Sequence, residues 1–384
     1  MDIMNVGEIE SGLRGLANDY PSLATMVALP EPTYERQTSY ALVIGKRPLC
    51  RASGVMITSG MHAREWGGPD ICIYFAADLL EAYAAGSDLV YQNKSFSAAS
   101  VRNMIERMTI VIFPCVNPDG VRFSHTGSNG LWRKNRNLAN STPGDARTVG
   151  VDNCRNFDFL WDYETAFAPA AIWEGMGSKN NWSEQYHGPK AFSEPETRNV
   201  RWLLDQHPQV MHYLDLHSHA GFVIYPWGAD ENQYFNYYQN FRNIGWNGKR
   251  GVPGPPYGEY MCWFEKNRFK SVTASISAAI FAVRGTAYGA YQLFLMPAIG
   301  RKTYCTSGAS FDWVYSRHLT DRSKRKVWGY GIEFNNDPNG YFNITGAQLE
   351  DMVPDVSAGL AELCRRATPG FWEHLFFCRL GWPF

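Results

Sequence analysis

Gly54-Val55-Met56-Ile57-Thr58, running straight into Ser59-Gly60-Met61-His62-Ala63-Arg64-Glu65-Trp66, is the stretch that decides how the chain is read. Its first five residues form a short apolar run between small and polar residues, the pattern of a strand. Beyond the polar turn, residues 69–85 are rich in Ala, Ile and Leu and predict a helix that Gly86 stops. A strand leading through a turn into a helix is the repeating unit of an α/β layer. Working outward, strands are predicted at 108–113, 210–216, 222–225 and 328–334, with an extended stretch at 38–44. Helices are predicted at 9–18, at 347–366, and from Ser193 to about residue 206. There Ser193-Glu194-Pro195-Glu196 reads as a capping box with Pro in the first turn. The alternation implies an α/β fold with a mixed, mostly parallel sheet flanked by helices on both faces.

Composition narrows the function classes. The 384 residues carry 36 Lys and Arg against 37 Asp and Glu, a formal net charge of -1, which argues against a nucleic-acid partner or a polybasic membrane-surface protein. Aromatic residues make up 15% and charged residues 19%, a balance that supports a large buried core and argues against disorder. Eight cysteines, at 50, 72, 115, 154, 262, 305, 364 and 378, contain no CxxC pair and indicate no disulfide framework. Residues 271–300 are apolar but broken by Arg284 and several glycines, a poor membrane span. The first residues lack the basic start and apolar run of a signal peptide, so the expectation is either a cytoplasmic protein or one secreted from a longer precursor whose leader is not in this sequence, with no membrane partner. Length alone would allow two or three domains, but no linker or repeat divides the chain. A single domain over 1–384 is the reading, with its motif-bearing core at about 50–340 and its oligomeric state open.

The chemistry begins at His62 and Glu65. Three residues apart, they can be aimed at one point by a tight loop or a helical turn, offering a nitrogen and an oxygen of the kind zinc accepts. Alone, such a pair is common and usually incidental. Asp215-Leu216-His217-Ser218-His219 ends another predicted strand, and strand carboxyl ends are where open α/β sheets place their sites. Two His and one carboxylate with a fourth position left open is the arrangement of a catalytic zinc. His217 and His219 are expected to point to opposite faces of the strand, so only one of them is expected as a ligand.

The residues then resemble a known family, the M14 metallocarboxypeptidases of the carboxypeptidase A group. His62-Ala63-Arg64-Glu65-Trp66 resembles their zinc signature. In the family's order follow Asn117-Pro118-Asp119-Gly120, Leu131-Trp132-Arg133-Lys134, Val149-Gly150-Val151-Asp152 with Arg155-Asn156-Phe157, Tyr186-His187-Gly188-Pro189, Phe192-Ser193-Glu194-Pro195-Glu196, Tyr225-Pro226-Trp227-Gly228, Tyr304 with Ser307-Gly308-Ala309-Ser310, and Ile332-Glu333. The resemblance implies that His62, Glu65 and His217 hold one Zn²⁺ per chain, with Asp152 bonded to a ligand imidazole. It implies that Glu333 is the catalytic carboxylate and that Arg133 stabilises the oxyanion. Arg155 and Tyr304 match the clamp on the substrate's terminal carboxylate, a task for which a guanidinium fork is suited. Arg64 and Ser218 match positions further along the groove. Ile299 and Phe311 fall where the family sets its preference for the last side chain, and two apolar residues there imply an apolar or aromatic one.

Three departures stand out. Cys154 replaces the Asn common before the clamp Arg, and a thiol is a weak donor. His219 sits where Tyr is common. Residues 229–302 are longer than in pancreatic-type enzymes, and form either a wall or lid over the cleft or a tolerated surface insertion. No folded pro-domain is indicated ahead of residue 54. The expected activity is zinc-dependent hydrolysis of the C-terminal peptide bond, on peptides with a free C-terminus. The alternatives are an M14-like amidase acting on a cell-wall or side-chain conjugate bond, and a zinc- or peptide-binding relative without catalysis.

Overall fold

A computed structural model describes residues 1–46, 53–297, 303–337 and 342–369. The described strands are β1 (Ala24–Ala28), β2 (Tyr40–Ile44), β3 (Ser53–Ser59), β4 (Leu89–Tyr91), β5 (Lys94–Phe96), β6 (Met108–Phe113), β7 (His212–Ser218), β8 (Phe222–Tyr225), β9 (Asn232–Gln233), β10 (Glu259–Tyr260), β11 (Gly289–Gln292) and β12 (Trp328–Phe334). The helices are α1 (Val6–Asp19), α2 (Gly68–Ala85), α3 (Ala98–Arg107), α4 (Pro118–Ser124), α5 (Tyr163–Ala166), α6 (Pro195–Gln206), α7 (Trp263–Arg284), α8 (Ser310–Thr320) and α9 (Gly346–Ala367).

Eight strands form one sheet in the order β1-β2-β6-β3-β7-β12-β8-β11. The four in the middle, β6, β3, β7 and β12, run parallel, while β1–β2, β2–β6 and β12–β8 pair antiparallel. Strands buried on both faces read as unbroken apolar runs, and β3 and β6 are buried at every position. Alternation on β12 shows which helices cover which face. Tyr330 packs its ring against Phe269 of α7, while Gly329 and Gly331 lie under Phe311 of α8. A Cβ on Gly329 would stand 2.2 Å from the Phe311 carbonyl oxygen, so only glycine lets α8 approach this closely. On the other face α9 packs against both α2 and α7.

Two predicted details differ. Helix α6 begins at Pro195 as expected, but Ser193 makes no capping box: its hydroxyl donates to Glu194 Oε1, and Glu194 caps without a side-chain bond. Capping boxes lie instead at α1, between Asn5 and Glu8, and at α9, between Thr345 and Gln348. Residues 229–302 are no simple surface insertion in their described part. They supply α7 and β11, which extends the sheet beside β8, and they carry Leu293, Met296 and Pro297 to the wall of the main cleft. Ile299 falls outside the described residues. Among the described residues, no helix is long and apolar enough to cross a membrane.

The register of the central strands prepares the site. Glu333 on β12 lies opposite His217 on β7, and Ser59 at the end of β3 lies opposite Leu216. The carboxyl ends of three parallel strands therefore meet at one point.

Candidate active site

His62 and Glu65 leave β3 in the turn before α2, and His217 stands at the end of β7. Their donor atoms converge. Nδ1 of His62 is 2.7 Å from Glu65 Oε1, Nδ1 of His217 is 2.9 Å from Glu65 Oε2, and the two Nδ1 atoms are 3.1 Å apart. All three side chains are buried. Two imidazole nitrogens facing each other across one carboxylate is an arrangement that a shared cation satisfies, so the donor set fits a zinc ion. Burial and the Arg133 guanidinium would lower the His62 imidazole, but Glu65, Cys154 and Asp152 outweigh them and lift it to about 10. Glu65, against its burial, is held below the usual carboxylate range by the two imidazoles.

Each imidazole is fixed from behind through its other nitrogen. His62 Nε2 lies 3.1 Å from Asp152 Oδ1. His217 Nε2 lies 3.0 Å from Asp215 Oδ2. Asp215 was not singled out from the sequence, although its signal was present: two residues before His217 on one strand, it shares the same face. It is held by the hydroxyls of Thr58 at 2.8 Å and Ser310 at 2.6 Å. The expected opposition of His217 and His219 does not come from strand alternation, because residues two apart on a strand share a face. Instead β7 ends at Ser218, and the His219 ring turns edge-on to Phe342 at 4.7 Å.

Arg133 is tied to Asp152 by Nε at 3.0 Å and Nη2 at 2.9 Å, which leaves Nη1 toward Glu65 at 3.8 Å. Glu333 is partly open to the cleft. Its apolar surroundings lift the carboxyl to about 7, with the Glu65 charge pushing the same way and His217, His62 and Arg133 opposing.

Arg155 is immobilised by backbone carbonyls. Nη1 donates to Cys154 O at 2.9 Å, Nε and Nη2 donate to Gly175 O at 3.1 and 2.8 Å, and Nη2 reaches the Tyr304 hydroxyl at 3.3 Å. Its backbone presses on Gly308 (φ 65°), where a Cβ would stand 2.3 Å from Arg155 O. That contact explains a glycine at this point of the Ser307–Ser310 segment. Cys154 Sγ turns away from the clamp toward His217 Nε2, 3.4 Å distant. Arg64 pairs with Glu184 at 2.9 Å and lies over the Phe342 ring; Glu184 was not foreseen. Ser218 donates its backbone N–H to Glu65 Oε2 at 3.2 Å. One cleft of about 380 Å³ is lined by the metal-type triad, Arg133, Glu333, Arg155 and Tyr304 together. Phe311, on the first turn of α8, lines it beside Phe222, Ile224 and Leu293.

Residues 9–356 match the family described as zinc carboxypeptidase, the M14 peptidases, and the chain belongs to that family. Within it, the chain is 32% identical over 228 residues to carboxypeptidase B of Astacus astacus, covering 58% of this chain and 63% of that protein. It is 27% identical over 347 residues to carboxypeptidase A6 of Homo sapiens (90% and 62%) and 28% identical over 364 residues to carboxypeptidase A4 of Mus musculus (94% and 68%). The chain thus spans less than two thirds of the first two of these relatives. The solved carboxypeptidase A of Helicoverpa armigera has the same fold, with a TM-score of 0.66 at 22% identity over 95% of this chain and 73% of that one.

Proposed function

We propose that the chain is a zinc-dependent carboxypeptidase that releases the C-terminal residue of peptides, with preference for apolar or aromatic terminal side chains. The observation that carries this reading is the joint presence, in one cleft, of the His62–Glu65–His217 triad, the Glu333 carboxylate beside it and the fixed Arg155 guanidinium. A zinc ion held by the triad would polarise the scissile carbonyl and make water more acidic. Glu333, the only carboxylate opposite His217 on β12, would take the proton from that water and deliver it to the departing amine. Arg133, its other donors spent on Asp152, would aim Nη1 at the developing oxyanion.

Arg155 would receive the terminal carboxylate. Of its five N–H groups, three are spent on carbonyls and one meets the Tyr304 hydroxyl; the remaining Nη1–H, with the Nη2–H released when Tyr304 moves aside, would make a two-pronged fork for the carboxylate. The terminal side chain would rest on Phe311 and Ile224, and among the described residues the only carboxylates lining the cleft are Glu65 and Glu333 of the catalytic group, so none is left to attract Lys or Arg. The relatives bear both A and B names, so the preference rests on this lining and not on likeness. The same reading treats residues 1–384 as one catalytic domain.

A second reading, an amidase acting on a non-standard bond, is favoured by one feature only. Cys154 faces His217, so it gives the clamp no hydrogen bond for a plain terminal carboxylate. Release of the last residue from blocked dipeptides ending in Phe, Leu, Lys or Glu, with and without chelator, separates the two. Chelator-sensitive release of Phe and Leu supports the carboxypeptidase. A zinc-loaded protein inactive on all four contradicts it.

A further inference from the structure

Behind His217, on the ring edge away from Glu65, four donor atoms gather that the proposed hydrolysis does not use as a group. Cys154 Sγ is 3.4 Å from His217 Nε2, 3.4 Å from Met61 Sδ and 3.9 Å from Asp215 Oδ2. His217 Nε2 is 3.0 Å from the same Asp215 oxygen. All four side chains are buried, and Cys154 forms part of the cleft wall, which gives an entry from solvent. Metal–sulfur bonds of about 2.3 Å and metal–nitrogen or metal–oxygen bonds of about 2.0–2.2 Å, at near-tetrahedral angles, place neighbouring donors roughly 3–4 Å apart. The three separations from Cys154 Sγ and the one between His217 and Asp215 fall in that range.

The donor types set the class of ion. A thiol and a thioether side by side suit soft, thiophilic cations, and an imidazole nitrogen with a carboxylate oxygen completes a four-coordinate set. A purely structural role for the pair is less satisfying: a thiol facing a thioether makes only a weak hydrogen bond.

We propose that Met61, Cys154, Asp215 and His217 form a second metal site, for a thiophilic ion of the Cu⁺ or Cd²⁺ kind, joined to the first through the His217 ring. On binding, the Cys154 thiol and the His217 Nε2–H each release a proton to solvent, and the bond from Nε2 to Asp215 gives way to one bond from each to the ion. Asp215 keeps its hydrogen bonds from Thr58 and Ser310, which hold it in place as a ligand. Occupation changes the charge and hold of His217 at the zinc triad, so it silences hydrolysis. The link to zinc rests on the carboxypeptidase reading, whereas the four donors stand without it.

The test is a cadmium titration of the zinc-loaded chain under reducing conditions. Zinc and cadmium per chain are measured by elemental analysis, and the thiolate-to-cadmium charge-transfer absorption is followed in the ultraviolet. The expected result is one cadmium gained per chain with zinc retained, and hydrolysis lost in step with the absorption. Cys154→Ser should abolish the absorption and weaken cadmium binding at least about tenfold, and the near-isosteric Met61→Leu should weaken it several-fold while keeping the fold. Cadmium binding unchanged in both variants, or cadmium replacing zinc one for one, overturns the proposal. Failure of zinc to bind at all would instead count against the carboxypeptidase reading, since the Cys154-dependent absorption is read independently.

Discussion

Replacing Asp152 by Asn perturbs the metal triad without touching a proposed ligand. Its carboxylate meets His62 Nε2 at 3.1 Å, accepts from Arg133 at 3.0 and 2.9 Å, and accepts the Cys154 N–H at 2.9 Å, all with no exposed surface. An amide in its place keeps one acceptor oxygen, but turns an NH₂ either on the Arg133 donors or on His62. The buried Arg133 charge then loses its hydrogen-bonded partner and keeps only Glu65 at 3.8 Å, which costs up to about 3–5 kcal/mol of stability. The His62 ring loses the anion that orients it, which should lower zinc affinity about 10–100-fold, or about 1.4–2.8 kcal/mol. The two effects separate experimentally. Urea unfolding of the zinc-free Asp152→Asn variant reads the contacts of Asp152 within the protein, the ion pair with Arg133 foremost, and a chelator competition reads the zinc affinity. Stability lost with zinc affinity within twofold of wild type would refute the orienting role of Asp152; no change in either would refute the whole electrostatic description of the triad.

Other outcomes follow from the same geometry. Phe311→Asp puts a carboxylate on the floor of the apolar pocket and should cut kcat/KM for Phe-ending dipeptides about 10–200-fold while raising the ratio of Arg-ending to Phe-ending turnover; an unchanged ratio would remove Phe311 from substrate contact. Burial lifts Asp312, which accepts from Gly228 N–H, from 3.8 to about 7. With the folded value above the unfolded one, its contribution favours the fold below about pH 4 and is lost as pH rises through about 7, a penalty on the order of 4 kcal/mol at pH 8. Asp312→Asn keeps the acceptor and removes the charge, so the variant should gain on wild type between pH 5 and pH 8 in chemical unfolding; a gap independent of pH would contradict this.

Much of this arrangement was legible in the sequence because its signals are local. The strand at 54–58, the turn carrying His62 and Glu65, and the helix stopped by Gly86 occur as read. Glu333 and His217 were named from motifs, and the pairing of β7 with β12 brings them opposite each other. Helix α7 was not legible, since Ser and β-branched residues interrupt its apolar face and its burial comes from packing against α9. The hold on Arg155 was hidden for a different reason: Gly175 O is a backbone atom that no side-chain pattern reports. Glu184 escaped because its partner Arg64 is 120 residues away in sequence. The turn of Cys154 toward His217 depends on its rotamer, which sequence spacing does not determine.

Hydrolysis and metal content of Glu333→Gln test the central claim most directly. The amide is close in size and cannot take the proton from water, while the triad of His62, Glu65 and His217 is left whole. The account predicts one zinc per chain in variant and wild type alike, with kcat on a Phe-ending blocked dipeptide lowered about 10²–10⁴-fold. Turnover within a few-fold of wild type, with zinc still bound, would contradict it.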